Sequence, residues 1–100
     1  MNQEQLPWVI KEGPRTDRDI TVYALSTCGF CKRALAFLDH KGFRYRYLYM
    51  DQIPVDTKNE IKAELKATFN EYVAFPFVVL DGKSHLVGFI EPDWVRTLGL

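Results

Sequence analysis

Cys28 and Cys31 are the only cysteines in this chain of 100 residues, and they stand together as Cys28-Gly29-Phe30-Cys31. Two thiols separated by two residues close into a small disulfide ring when they fall in a first helical turn, which brings positions i and i+3 together. The first of them then faces unpaired backbone N–H groups and the positive end of the helix dipole. Both favour thiolate over thiol. A thiolate is the attacking species in disulfide exchange, and the second thiol is placed to resolve the mixed disulfide the first one makes. These residues set an expectation of thiol–disulfide redox chemistry.

That chemistry needs elements that hold the pair at a helix start. Residues 20–25 (Ile-Thr-Val-Tyr-Ala-Leu) are β-branched and apolar and read as a strand, and Ser26-Thr27 lead from it into the cysteines. Cys31, Ala34, Leu35 and Leu38 fall on one helical face, ending near Lys41-Gly42, with Gly42 suited to the position just past the helix. Residues 43–50 alternate aromatic and basic side chains, a half-buried strand pattern, and 51–56 read as a turn containing Pro54. Ile61, Leu65, Phe69 and Tyr72 predict a second helix from about Thr57. Residues 77–80 read as a buried strand, Asp81-Gly82 as a hairpin turn and 85–87 as its return strand, with Pro92 in the first turn of a last helix through Trp94, Val95 and Leu98.

The order β-α-β-α-β-β-α predicts an α/β fold: a mixed four-stranded sheet flanked by about three helices, with the cysteines at the carboxyl end of its first strand. Open α/β sheets place their sites there. Residues 1–19 read as an N-terminal extension and 20–100 as the domain; Trp8, Val9 and Ile10 are expected to pack on the body, with room for a short edge strand.

Composition narrows the function. Lys+Arg and Asp+Glu number 13 each, so the net charge is zero and nothing argues for nucleic acid or an anionic membrane as partner. Hydrophobic residues make up 47%, yet no apolar run approaches the ~20 residues a membrane span needs. Met1 to Gln5 lack the basic start and apolar stretch of a secretory signal, so a cytoplasmic location and a monomeric protein are expected. There a CxxC pair is far more often catalytic or metal-binding than a structural bridge. His40 and His85 lack zinc-finger spacing and read as solvated surface residues, so no metal site is expected.

Tyr23, the stretch from Ser26 through Cys28 and Cys31 to Lys32, Phe75-Pro76 before a strand, and Val87-Gly88-Phe89 together resemble the glutaredoxin family over about residues 20–100. The resemblance implies a thioredoxin-like fold, with Cys28 as nucleophile, Cys31 as resolving thiol and a redox-active disulfide between them in place of any bound cofactor. It also implies that Pro76 is cis and that the backbone of Phe75 faces the substrate, and it makes Thr27, Gly29, Phe30, Phe75, Pro76, Gly88 and Phe89 candidate substrate-binding residues. Phe30 reads equally well as an exposed apolar contact or a core aromatic.

Glutathione-using members carry a lysine three residues before the nucleophile, where this chain has Leu25. They also carry Gly-Gly, a polar residue and aspartate near the last helix, where this chain has Gly88-Phe89-Ile90-Glu91. Gly-Phe followed by Pro92-Asp93 looks instead like the ribonucleotide-reductase-linked redoxins, with one extra residue. The expected function is therefore a dithiol oxidoreductase reducing protein or small-molecule disulfides, serviced by thioredoxin reductase or a ferredoxin-linked reductase rather than strictly by glutathione. The alternatives are a glutathione-dependent glutaredoxin, and a non-catalytic binding or iron–sulfur-carrying module. Tyr45, Tyr47, Tyr49, Phe75 and Phe77 are the aromatics that would line such a binding surface.

Overall fold

A computed structural model describes residues 5–100. The reading of Met1 to Gln5, and the first part of the extension, involve residues 1–4, which lie outside the described residues. The elements run β1 (Val9–Lys11), β2 (Ile20–Ala24), α1 (Gly29–His40), β3 (Tyr45–Tyr49), a short 3-10 turn (Met50–Gln52), α2 (Val55–Phe69), β4 (Phe77–Leu80), β5 (Ser84–Val87) and α3 (Glu91–Thr97). The sheet order is β1-β3-β2-β4-β5, with β2 and β3 parallel and every other pair antiparallel. This is the thioredoxin-like arrangement.

The sheet has five strands rather than the four expected, because Val9–Lys11 pair with Tyr45–Tyr47 along the outer edge of β3. Of the three residues expected to pack there, Trp8 does so, edge-on to Tyr23 with the Arg46 guanidinium 4.4 Å from its ring centroid. Val9 and Ile10 remain exposed. Gly13 anchors the next turn: a Cβ there would lie 2.6 Å from the Gly42 carbonyl oxygen and 2.7 Å from that of Phe43. Only glycine lets these backbones approach so closely.

Each face of the sheet carries its own core. Ile20, Val22 and Ala24 of β2 meet Ala34, Leu35 and Leu38 of α1 and Trp94 of α3 on one face. Tyr23, Leu48 and Phe77 meet Ile61 and Leu65 of α2 on the other. The alternation of β2 between the two cores explains its β-branched and apolar reading and the burial of Thr21, since a strand covered on both faces has no solvent side. Helix α2 stops at Asn70, which takes the left-handed conformation (φ 50°). Tyr72 therefore lies beyond the helix and is exposed, a correction to the spacing that placed it inside. His85 also departs from expectation: it is partly buried, stacked on Phe77 and near Phe69, with Nε2 3.2 Å from Glu71 Oε2.

Candidate functional site

The turn from β2 into α1 delivers both cysteines. The Cys28 N–H donates to the Leu25 carbonyl at 3.2 Å, and its own carbonyl accepts the Lys32 N–H at 3.1 Å as the helix begins. Cys28 is the N-cap residue, with extended backbone, and its Sγ accepts the Cys31 N–H at 3.2 Å. A backbone N–H is thus aimed at the Cys28 sulfur at the start of α1. Both cysteines are free thiols.

The two differ in surroundings. Cys28 is half-buried, whereas Cys31 is fully buried on the apolar stripe of α1 with Ala34, Leu35 and Leu38. Burial pushes the Cys31 thiol up to about 12, and its hydrogen bond with Cys28 adds to this. The sequence pattern anticipated this asymmetry, because Cys31 opens the i, i+3, i+4, i+7 series.

The remaining candidate residues fall at three positions around the pair. The Phe75–Pro76 peptide bond is cis, and the Phe75 carbonyl oxygen lies 4.0 Å from Cys28 Sγ. Gly88 sits beside it, its N–H donating to the Pro76 carbonyl at 2.8 Å and its own carbonyl accepting the Trp94 indole N–H at 3.0 Å. Its φ of 76° is one that side-chain-bearing residues rarely adopt. Thr27, Gly29 and Phe30 form the exposed lip of the turn, and nothing lies within 4 Å of where a Gly29 Cβ would be. Phe30 resolves its two readings in favour of exposure: it is 57% exposed, with the Arg33 guanidinium 5.6 Å from its ring centroid.

Phe89 follows Gly88 and is partly buried, its ring packed against the α1-side core 5.6 Å from Phe37 and 5.2 Å from Trp94. The aromatics read as one binding surface do not form one. Phe77 is fully buried in the α2-side core, while Tyr45 is buried on the opposite face with its hydroxyl donating to Asp39 at 2.8 Å.

One site residue escaped the sequence reading. Asp51, in the turn after β3, accepts the Ser26 N–H at 2.9 Å through Oδ1 and the Ser26 hydroxyl through Oδ2. Those Ser26 bonds, side chain first and backbone second, hold the Asp51 carboxyl below its ordinary value. No local pattern marks a pair so far apart in the chain. Among the described residues no group of three or more His, Cys, Asp or Glu is placed to hold a metal ion, and no helix is long and apolar enough to cross a membrane.

An N-cap thiol paired with a buried second thiol, at the carboxyl end of a central strand in a thioredoxin-like sheet, defines the class: this is a thiol–disulfide oxidoreductase. The Glutaredoxin family model matches residues 20–85, and the chain belongs to the glutaredoxin family. It is 33% identical over 69 residues to a probable glutaredoxin of Synechocystis sp. (strain PCC 6803), covering 69% of this chain and 72% of that protein. The glutaredoxin of Methanosarcina mazei superposes with a TM-score of 0.79 at 26% identity over 93% of this chain and 88% of that one. Methanosarcina acetivorans methanoredoxin gives a TM-score of 0.76 at 27% identity over 88% of this chain and 90% of that one.

Proposed function

We propose that Cys28 is the attacking thiol and Cys31 the resolving thiol of a dithiol cycle that reduces disulfides in proteins or small molecules, and that a protein reductase resets the pair. The Cys28 thiolate attacks one sulfur of the substrate disulfide, forming a mixed disulfide and releasing the other half as a thiolate. Cys31 then loses its proton to the surroundings and attacks the Cys28 sulfur. This forms the Cys28–Cys31 bond and expels the second substrate thiol. Two electrons pass from the dithiol to the substrate, and the donor returns them.

The observation that carries this reading is the asymmetry of the pair: a half-buried N-cap sulfur accepting a backbone N–H, against a second thiol with no exposed surface. The proposed donor rests on Leu25, which is half-buried against the α2-side core and offers no cation to a glutathione carboxylate. It rests equally on Phe89, which stands where the second glycine would be and packs against Phe37 and Trp94. Thr27, Gly29, Phe30, Phe75, Pro76, Gly88 and Phe89 are the proposed contacts of the substrate disulfide, in a cytoplasmic protein that holds no further cofactor.

Turnover of a disulfide substrate with NADPH tests the donor in two arms, one with glutathione and glutathione reductase, the other with thioredoxin reductase. Turnover confined to the second arm is expected. Turnover confined to the first would make the protein a glutathione-dependent glutaredoxin. Silence in both, with a Cys28–Cys31 bond that dithiothreitol still reduces, would point to a ferredoxin-linked donor.

A further inference from the structure

The turn that presents Cys28 has an anchor outside both elements it connects. Ser26 and Thr27 belong to neither β2 nor α1, and their backbone is tied at one end by the Cys28 N–H to the Leu25 carbonyl. The other tie is Asp51, both of whose carboxylate oxygens are engaged by Ser26. Asp51 is reached through the parallel pairing of β2 and β3, which sets Ala24 beside Tyr49 and so brings the two strand ends level. No lysine or arginine among the described residues lies within ion-pair distance of Asp51. Lys58 of α2 acts on Asp51 only from beyond ion-pair distance, and Tyr49 feels the charge of both Asp51 and Cys31.

We propose that Asp51 is a positioning residue for disulfide exchange: its carboxylate ties the turn after β3 to Ser26 and so fixes the approach of Cys28 to the substrate sulfur. In-line attack needs the sulfur held along one direction, and a small misplacement of a reacting group costs up to about a hundredfold in rate. The charge has a second effect. Burial does most to keep Cys31 protonated and its hydrogen bond with Cys28 comes next; the Asp51 charge adds the smallest share in the same direction. The proposal rests on Cys28 being the attacking thiol.

The test uses the reduced full chain and dithiodipyridine, which releases one coloured pyridinethione when Cys28 attacks and a second when Cys31 resolves the mixed disulfide. Asp51→Ala is expected to slow the first release roughly tenfold, and Asp51→Asn, which keeps an acceptor for the Ser26 N–H, to recover most of that loss. The second release should move to lower pH in Asp51→Asn, a change that a purely structural role would not produce. Ser26→Ala should slow the first release and add nothing further when combined with Asp51→Ala, because both act through one contact. A wild-type rate and pH profile in Asp51→Ala, or equal losses in both Asp51 variants that add to the Ser26→Ala loss, would overturn the proposal. Should Asp51→Ala fail to fold, Asp51→Asn and Ser26→Ala carry the same test. The Cys28→Ser control separates the two readings: if it still gives the first release, the attacking thiol is wrong whatever Asp51 does.

Discussion

The indole N–H of Trp94 donates to the carbonyl of Gly88 across 3.0 Å, and the N–H of Gly88 donates to the carbonyl of Pro76 at 2.8 Å. A fully buried residue of α3 thereby sets the backbone that borders Cys28. Trp94→Phe keeps an aromatic ring but leaves the Gly88 carbonyl without its donor and opens space against Phe37 and Phe89. A loss of about 1–3 kcal/mol in unfolding free energy is expected. Urea denaturation measures it, and turnover should fall in step under conditions where the variant is still folded.

The proposed division of labour between the cysteines predicts opposite fates for their variants. Cys28→Ser should abolish turnover. Cys31→Ser should leave the first attack intact and accumulate a stable mixed disulfide, visible by mass spectrometry as an adduct on Cys28. An adduct on Cys31 in the Cys28→Ser variant, formed at the wild-type rate, would reverse the assignment.

Alkaline pH should unfold the reduced protein more readily than the oxidised one. The Cys31 thiol is raised from 9.0 to about 12, chiefly by burial. The neutral thiol therefore favours the folded state fully below pH about 9, and that contribution is lost as the pH climbs through the window towards 12. Tyr23 and Tyr45, raised above 10.0 mainly by burial, act in the same sense in both redox forms. The measurement is the midpoint of thermal unfolding against pH for wild type and Cys31→Ser. Identical alkaline slopes would show that Cys31 contributes nothing.

Leu25→Lys should increase turnover supported by glutathione, through KM more than kcat. An exposed ion pair contributes roughly 0.2–1 kcal/mol, which corresponds to about 1.4- to fivefold. The companion change Phe89→Gly would confound the comparison, because the Phe89 ring packs on Phe37 and Trp94.

Gly13→Ala should destabilise the fold by about 1–3 kcal/mol, because the new methyl group would press on backbone atoms that cannot rotate away. Its Cβ would stand 2.6 Å from the Gly42 oxygen. A differential scanning measurement with an unchanged midpoint would mean that the two segments separate at little cost.

Much of this architecture is legible in the residues themselves, for identifiable reasons. Strands β2 and β4 lie between two layers and read as runs of β-branched and apolar residues, broken only by Thr21, which is buried with Arg46 donating to its hydroxyl; α1 buries one stripe, and that stripe contains Cys31. Strand β1 is harder to see. Its three residues are all exposed and it is held by backbone pairing to β3, which leaves no side-chain alternation to find. The end of α2 misleads because Tyr72 keeps helical spacing after Asn70 has already turned the chain. His85 looks solvated as a lone polar residue, and only the fold brings Phe69 and Phe77 against it. At the site, the CxxC and the proline stand out by residue type, whereas the bonds of Ser26 to Asp51 and of Trp94 to Gly88 join side chain to partner across turns and elements. They exist only once β3 lies beside β2 and α3 folds back over the sheet.

Strand β1 also bears on how the molecule behaves in company. Without it, Tyr45–Tyr49 would form the outer edge of the sheet, offering unpaired N–H and C=O groups along a strand with three tyrosines. Such an edge is a template for neighbouring chains to add to. By covering it with Val9, Ile10 and Lys11, followed by Glu12 and Gly13-Pro14, the chain replaces a five-residue aromatic border with a three-residue one that ends in charge. A version trimmed to begin at residue 20 would keep both cysteines and the whole family match, yet would be prone to precipitate at concentrations the full chain tolerates.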